Sequence, residues 1–393
     1  MRRDQFMRRA RIVVTLAATL GGSVSCSSPG RVPALVLEAD GVRVTRVFGP
    51  EDPGGAYKHP ASITELDNGD LYLAFYGGSG EYGDDTAVWG ARLAAGQTAW
   101  TVPKVIADTP DRSEGNPVVW QAPDGIVWLF YVNRYGETWS TARVLAKISR
   151  DGAETWSDSL VLTFELGTMA RGQPIVLHDG DYLLPLYFES GDDREESAPA
   201  TSSFFLRYDP ETKTWSETNR IRSPQGNLQA QVVQLTGERL VCYIRRGGNF
   251  LPTESGYTLR AESNDGGRTW SDAQATAFRN PNSAVDFIKL RNGHLVLVYN
   301  DNMNERTPLS IAVSLDGDQS YPYRRNVLEG DNTFAYPYAI QTRDGRIHVI
   351  CTTDERTAIL HVVFDEGAIV QAKYAYRDAA SDAGAGSTAT TDD

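Results

Sequence analysis

The sequence predicts an all-β protein, a six-bladed β-propeller, on three observations. First, one phrase occurs six times: an apolar strand, a tight turn carrying Asp or Asn before Gly (Thr236 in the fourth copy), then a second apolar strand. Second, the turn glycines Gly69, Gly125, Gly180, Gly237, Gly293 and Gly345 fall 56, 55, 57, 56 and 52 residues apart. A period near fifty residues built from strands is the signature of a propeller or a related repeat array. Third, a further strand and a second recurring turn phrase follow the paired strands, so each period holds more than a hairpin.

Taken in order, the chain opens on a targeting segment. Arg2, Arg3, Arg8, Arg9 and Arg11 make a basic start, Ile12–Leu20 a short apolar stretch, and small residues follow through Ser25. This pattern predicts a signal peptide over 1–26 and an exported protein, periplasmic or extracellular. The apolar stretch is too short to span a bilayer comfortably. Cys26 after Ser-Val-Ser is a candidate lipid-anchor position and the one route to a membrane, although Ser23 stands where a bacterial lipobox carries Leu. Residues 27–34 read as a linker. Leu35–Phe48 alternates like a strand and is expected to join the last blade, closing the ring and removing an open sheet edge.

The repeats then start at Lys58, Gly115, Arg171, Asn227, Pro281 and Tyr336. Ser190–Ser203 is a polar insertion between two strands, expected at the mouth or rim. A last strand-like run, Ala368–Tyr376, precedes an acidic, small-residue tail over 378–393 that is expected to be disordered. The propeller is thus expected over 35–377.

Bulk properties narrow the partners. A formal charge of −13 over 393 residues argues against nucleic acid. It leaves room for a small anion held by a local arginine cluster. Three cysteines cannot form a disulfide framework, and Cys242 and Cys351 fall on apolar strands as expected free thiols. No metal-ligand spacing, phosphate loop or dinucleotide fingerprint is present, so no cofactor is expected.

The second phrase reads SRDGAETW from Ser149 and SNDGGRTW from Ser263, with weaker copies at Leu93, Tyr208 and Ser314. Asp and Ser can bond backbone groups across a tight turn, Gly supplies the unusual backbone angle, and Trp buries a large ring. Nothing in this arrangement requires chemistry.

These phrases are similar to the Asp boxes of the sialidase superfamily, and Tyr57–Val363 resembles the bacterial BNR-repeat, sialidase-like proteins. The resemblance implies four-stranded antiparallel blades, Asp boxes at the periphery and an active site on the axis. It further implies an exo-acting glycoside hydrolase for a terminal acidic sugar, sialic acid being the family default. Such enzymes use Tyr as nucleophile, a Glu to take its proton, a separate Asp as acid/base, and three arginines for the substrate carboxylate.

Residues at the inner-strand entrances should meet on the axis. They include Lys58, His59, Asn116, Arg171, Gln229, Asn282 and Tyr336, with Arg134, Glu137, Arg245, Arg246, Arg306 and Arg356 on the exit loops. Arg offers a rigid fork of donors suited to a carboxylate. By the resemblance Tyr336 matches the nucleophile, with Tyr338 the alternative axial ring, and Asp85 matches the acid/base, with Asp84 beside it. Arg245 and Arg306 match carboxylate-binding arginines, and Arg246 is grouped with them. Two departures stand out. Lys58-His59-Pro60 replaces the usual Arg-Ile-Pro, and Gln229 stands where the family presents its Glu. His59 and Glu137 are the candidate replacement bases. Three readings therefore remain: a sialidase-like hydrolase, a hydrolase or lyase for another acidic sugar such as a uronate, and an acidic-glycan-binding propeller without catalysis.

Overall fold

A computed structural model of the protein describes residues 35–371. The signal segment with Cys26, the linker 27–34, the end of the run 368–376 and the tail from 378 lie outside the described residues.

Within these bounds the expected ring is present, as six antiparallel sheets. The first comprises Tyr57–Glu65, Leu71–Gly78, Ala87–Leu93 and Lys104–Ala107, and the second Ser113–Gln121, Val127–Arg134, Ala142–Ser149 and Leu160–Val161. In the third the inner strand is broken into Thr168–Ala170 and Ile175–Val176, both paired to Tyr182–Phe188 ahead of Ser202–Asp209 and Thr214–Glu217. The fourth holds Asn227–Gln234, Leu240–Arg246, Tyr257–Ser263 and Gln274–Arg279. The fifth holds Asp286–Lys289, Leu295–Asn300, Leu309–Ser314 and Tyr323–Leu328. The last holds Ala335–Gln341, Ile347–Thr353 and Ala358–Phe364, completed by Val42–Phe48 and extended by Leu35–Ala39.

Closure is as expected: Val42–Phe48 pairs antiparallel with Ala358–Phe364, in register Val44 to Val362. The described start of the run from Ala368 is a helical turn, Gly367–Val370, that buries Ile369, so these residues are not the expected strand; the remainder of the run lies outside the described residues.

Second strands such as Leu71–Gly78 and Leu240–Arg246 are buried at every residue, because each blade is covered on both faces by its neighbours. Ile63, Leu73 and Phe75 of the first blade pack in one cluster with Val118 and Phe130 of the second and with Ile340 and Ile350 of the last. Each such side chain contributes roughly 1.5–3 kcal/mol on burial, so the core lies between blades and not within one. The six turn glycines all take positive φ, from 56° to 95°.

The Asp boxes turn between third and fourth strands, away from the axis. Ser149 Oγ donates to Asp151 at 2.7 Å, and Asp151 accepts from the Thr155 N–H at 3.0 Å. Asp265 with Ser263 and Thr269, and Asp316 with Ser314 and Ser320, repeat the arrangement. Trp270 stacks on Phe205 with ring centroids 4.4 Å apart. Cys242 and Cys351 are buried free thiols.

Candidate active site

The inner strands share an irregularity that builds the axial site. Register shifts between Lys58 and Ala61, Gly115 and Val118, Leu228 and Gln231, and Ala335 and Tyr338 mark one bulge at the same point of four blades. A bulge re-aims the side chain it carries. Asn116 (φ 43°), Gln229 (φ 62°) and Tyr336 (φ 54°) occupy these bulges in left-handed backbone, and Asn282 (φ 58°) sits just before the inner strand of the fifth blade. Left-handed backbone is uncommon for residues other than Gly and concentrates at functional sites.

These residues meet. The Tyr336 hydroxyl oxygen lies 3.0 Å from Arg245 Nη1 and 3.2 Å from Gln229 Nε2, both donors. Gln229 Oε1 accepts from Arg245 Nη1 at 3.2 Å, and Asn282 Oδ1 accepts from Arg245 Nε at 2.7 Å. Asn116 Nδ2 donates to the Tyr187 hydroxyl at 3.1 Å, which Gln229 Nε2 also approaches at 3.4 Å. Arg306 lies 5.8 Å from the Tyr336 ring centroid and donates to Asn282 O at 3.3 Å. Among the described residues neither Arg245 nor Arg306 has a carboxylate partner.

Arg356, from the last blade, comes to the same space through its ion pair with Glu81 and a 3.2 Å bond to the Tyr57 hydroxyl. Arg306, Arg356, Tyr57, Phe250, Ala335 and Glu195 line a cavity of about 450 Å³. Half-buried Arg306 and Arg356 face this opening and buried Arg245 lies behind it at the Tyr336 oxygen, an arrangement of guanidiniums suited to an anion such as a carboxylate. Burial and then Arg245 lower the pKa of Arg306. Burial pushes the Tyr336 phenol up, but the arginines around it, Arg245 first, then Arg306 and Arg356, leave the phenol below its ordinary value.

His59 meets Tyr336 edge-on, with ring centroids 4.3 Å apart. Its Nδ1 is 2.7 Å from Thr352 Oγ1, and its buried Nε2 has no hydrogen-bond partner. Burial, reinforced by Arg356, Arg306, Arg171 and Arg245, holds it well below the ordinary histidine value, so the ring is neutral. Arg171 sits under the floor, 5.7 Å from the Tyr336 centroid and 5.5 Å from that of Tyr338, donating to Pro337 O opposite the buried Asp286. It supports the tyrosine from beneath.

Several expected residues are spent elsewhere. Lys58 points away from the axis and donates to Asp52 O at 3.0 Å and to Gly55 O, tying down the preceding loop. Arg246 donates to Asn280 O at 3.1 Å. Arg134 donates to Gly136 O and, at 2.9 Å, to Tyr82 O, under the Tyr82 ring. Glu137 is exposed and ion-paired with Arg194 of the polar insertion, at the rim. Asp85 is exposed and accepts from Ser79 Oγ at 2.7 Å and from the Ser79 N–H, stapling its own loop. These hydrogen bonds hold its carboxyl below the usual range.

Two carboxyls were missed by the sequence reading. Glu81 lies in the same loop as Asp85 but bonds Tyr57 Oη at 2.9 Å and Trp139 Nε1 at 3.1 Å besides Arg356. Glu189 follows the second strand of the third blade, where Arg245 ends that of the fourth. Burial pushes its carboxyl up to about 7, opposed by Arg245 and reinforced by Glu81. A second cavity of about 500 Å³ opens at the turn end of the ring, and it holds none of these groups. Its Lys289 and Arg343 donate to backbone carbonyls.

Comparison with known proteins adds the following. The sequence matches the family described as BNR repeat-like domain over residues 69–349. No curated protein sequence matches it. Among solved structures, a Hadza microbial sialidase is similar at 17% identity and TM-score 0.67, covering 80% of this chain and 66% of its own length. A Dyadobacter fermentans protein of unknown function is similar at 16% identity and TM-score 0.67, covering 83% and 99%. The intramolecular trans-sialidase of Ruminococcus gnavus, solved with oseltamivir carboxylate, is similar at 15% identity and TM-score 0.67, covering 82% and 97%. This chain therefore spans about two thirds of the length of the Hadza sialidase and nearly all of the other two.

Proposed function

The chain belongs to the BNR repeat-like domain family and has the sialidase propeller fold, and from that premise we propose that it is an exported, exo-acting glycosidase that releases a terminal acidic sugar from glycans. The observation that carries the reading is the convergence of Arg245, Arg306 and Arg356, from three blades, around Tyr336, with Arg306 and Arg356 lining a cavity beside it. The basic and apolar start of the sequence supports export.

In this reading the three guanidiniums grip the sugar carboxylate and set the anomeric carbon over Tyr336. The Tyr336 oxygen, attacking without its proton, bonds that carbon as the glycosidic bond breaks, and Glu189 gives its proton to the departing oxygen. Water then attacks the same carbon, its proton returns to Glu189, and the tyrosine oxygen leaves. A carboxyl that titrates near 7 suits both halves of this exchange. Glu189 thus takes the role that Asp85, bound to Ser79, cannot fill.

His59 favours a second reading, β-elimination from a uronate. That reaction needs a base for the proton next to the carboxylate, and a neutral imidazole with a free nitrogen beside Tyr336 is one. Incubation with a fluorogenic sialoside and a panel of uronate-capped oligosaccharides separates the readings. Hydrolysis gives a saturated acidic sugar, whereas elimination gives a conjugated double bond with new ultraviolet absorbance. Turnover lost in Tyr336→Phe with binding retained supports the enzyme. Binding without any turnover in the unmodified protein makes it a lectin.

A further inference from the structure

We propose that Tyr336 rests as a phenolate, its oxygen held between the donors Arg245 Nη1 and Gln229 Nε2, and that Gln229 is a positioning residue that lets this oxygen act without a general base. The geometry around the oxygen points one way. Its two hydrogen-bond partners are a guanidinium at 3.0 Å and an amide N–H at 3.2 Å, and neither can take a proton. The Gln229 amide has one orientation open to it, because its Oε1 already accepts from Arg245 at 3.2 Å. Its N–H is therefore committed to the tyrosine side. Among the described residues no carboxylate or imidazole nitrogen bonds the phenol oxygen. His59, the one neutral base in contact, meets the ring edge and has its single hydrogen bond with Thr352.

The charged groups facing the ring come from five of the six blades. Arg171 is 5.7 Å from the centroid, Arg306 5.8 Å and Arg245 5.9 Å, and Arg356 adds a fourth cation from the last blade. Glu81 opposes them but is paired with Arg356, and Asp286 sits beneath the floor opposite Arg171. Glu189 faces Arg245 with its carboxyl pushed up to about 7 by burial, while burial drives the neighbouring Tyr187 well above the ordinary value. A hydroxyl that only accepts, within a ring of cations, is more stable without its proton. The downward direction for Tyr336 agrees, and it sets this residue apart from Tyr57, Tyr76, Tyr187 and Tyr338, all of which are raised.

The catalytic consequence rests on the glycosidase reading: the phenolate electron pair forms the bond to the anomeric carbon, the glycosidic pair leaves with the oxygen that takes the Glu189 proton, and after attack by water the tyrosine departs again as phenolate. No proton is moved to or from Tyr336 in either half. A carboxylate at position 229 would oppose this state, whereas the amide supports it.

Ultraviolet titration of the full protein without substrate tests the ionisation by itself, so failure here and failure of the glycosidase reading are distinguishable. The unmodified protein should show one tyrosine equivalent already ionised at neutral pH, its phenolate absorbance lost only on acidification, and Tyr336→Phe should lack it. Gln229→Glu, which keeps the chromophore, should move that midpoint upward, and Gln229→Met should move it upward by less. Superimposable curves for the unmodified protein and Tyr336→Phe overturn the proposal. So does a midpoint indifferent to Gln229→Glu, which also decides the matter if Tyr336→Phe does not fold.

Discussion

Arg356 and Glu81 form an ion pair across the seam where the last blade meets the first, and this pair carries the third guanidinium of the axial cluster. Lys58 begins the first inner strand and directs its ammonium to the backbone behind it. The cation that this strand would be expected to supply is delivered instead by a loop of the last blade.

Arg356→Ala should therefore raise KM for an acidic glycoside by about 10–100-fold, the loss of one charge-assisted contact of roughly 1.5–3 kcal/mol. Arg246→Ala should leave KM unchanged, since its guanidinium serves Asn280 O. Steady-state kinetics on both variants checks the pair, and equal losses would return Arg246 to the site.

Lys58→Met should act on the fold and not on the ligand. It leaves Asp52 O and Gly55 O without their donor, at a cost of roughly 1–3 kcal/mol. Chemical denaturation should read that loss, while affinity per folded molecule stays as in the unmodified protein. A drop in affinity with unchanged stability would mean that Lys58 reaches the ligand.

Glu189 sets a pH dependence with a definite sign. Its carboxyl, pushed up to about 7 by burial, must carry a proton to protonate a leaving group. For an alkyl glycoside kcat should thus fall as pH rises through about 7. An activated aryl glycoside, whose leaving group departs unprotonated, should show no such limb. Glu189→Gln should lose about 10²–10⁴-fold in kcat/KM on the alkyl substrate and little in kcat/KM on the aryl one. Matching pH profiles for the two leaving groups would remove Glu189 from the acid role.

The fold was legible because it is written in a period: six turn glycines and recurring Asp boxes fix blade number, and the alternating Leu35–Phe48 signals the closing strand. Much of the axial cluster was legible for a related reason, since residues at equivalent points of a ring must converge. His59, Asn116, Gln229, Arg245, Asn282, Arg306, Tyr336 and Arg356 were reached that way. The errors have local causes. Arg245 and Arg246 are consecutive in a strand, so their side chains leave on opposite faces and only one can turn to the Tyr336 oxygen. Lys58 and His59 divide in the same manner. That signal was present and unused. Asp85 and Glu81 share an irregular Gly-rich loop with no period to say which carboxyl turns inward. Glu189 was findable from its place just beyond the second strand of its repeat. The bulges that turn Asn116, Gln229 and Tyr336 into left-handed backbone are visible only in the register of paired strands.

The central claim is that Arg245, Arg306 and Arg356 receive a sugar carboxylate above Tyr336. Calorimetric titration of Tyr336→Phe with an acidic glycoside and with the methyl ester of the same compound tests it most directly, because the two ligands differ only in the charge that the arginines would read. The account predicts that the free acid binds at least about 10-fold more tightly than the ester, with the gap narrowing in Arg356→Ala and as salt is raised. Equal affinity for acid and ester would contradict it.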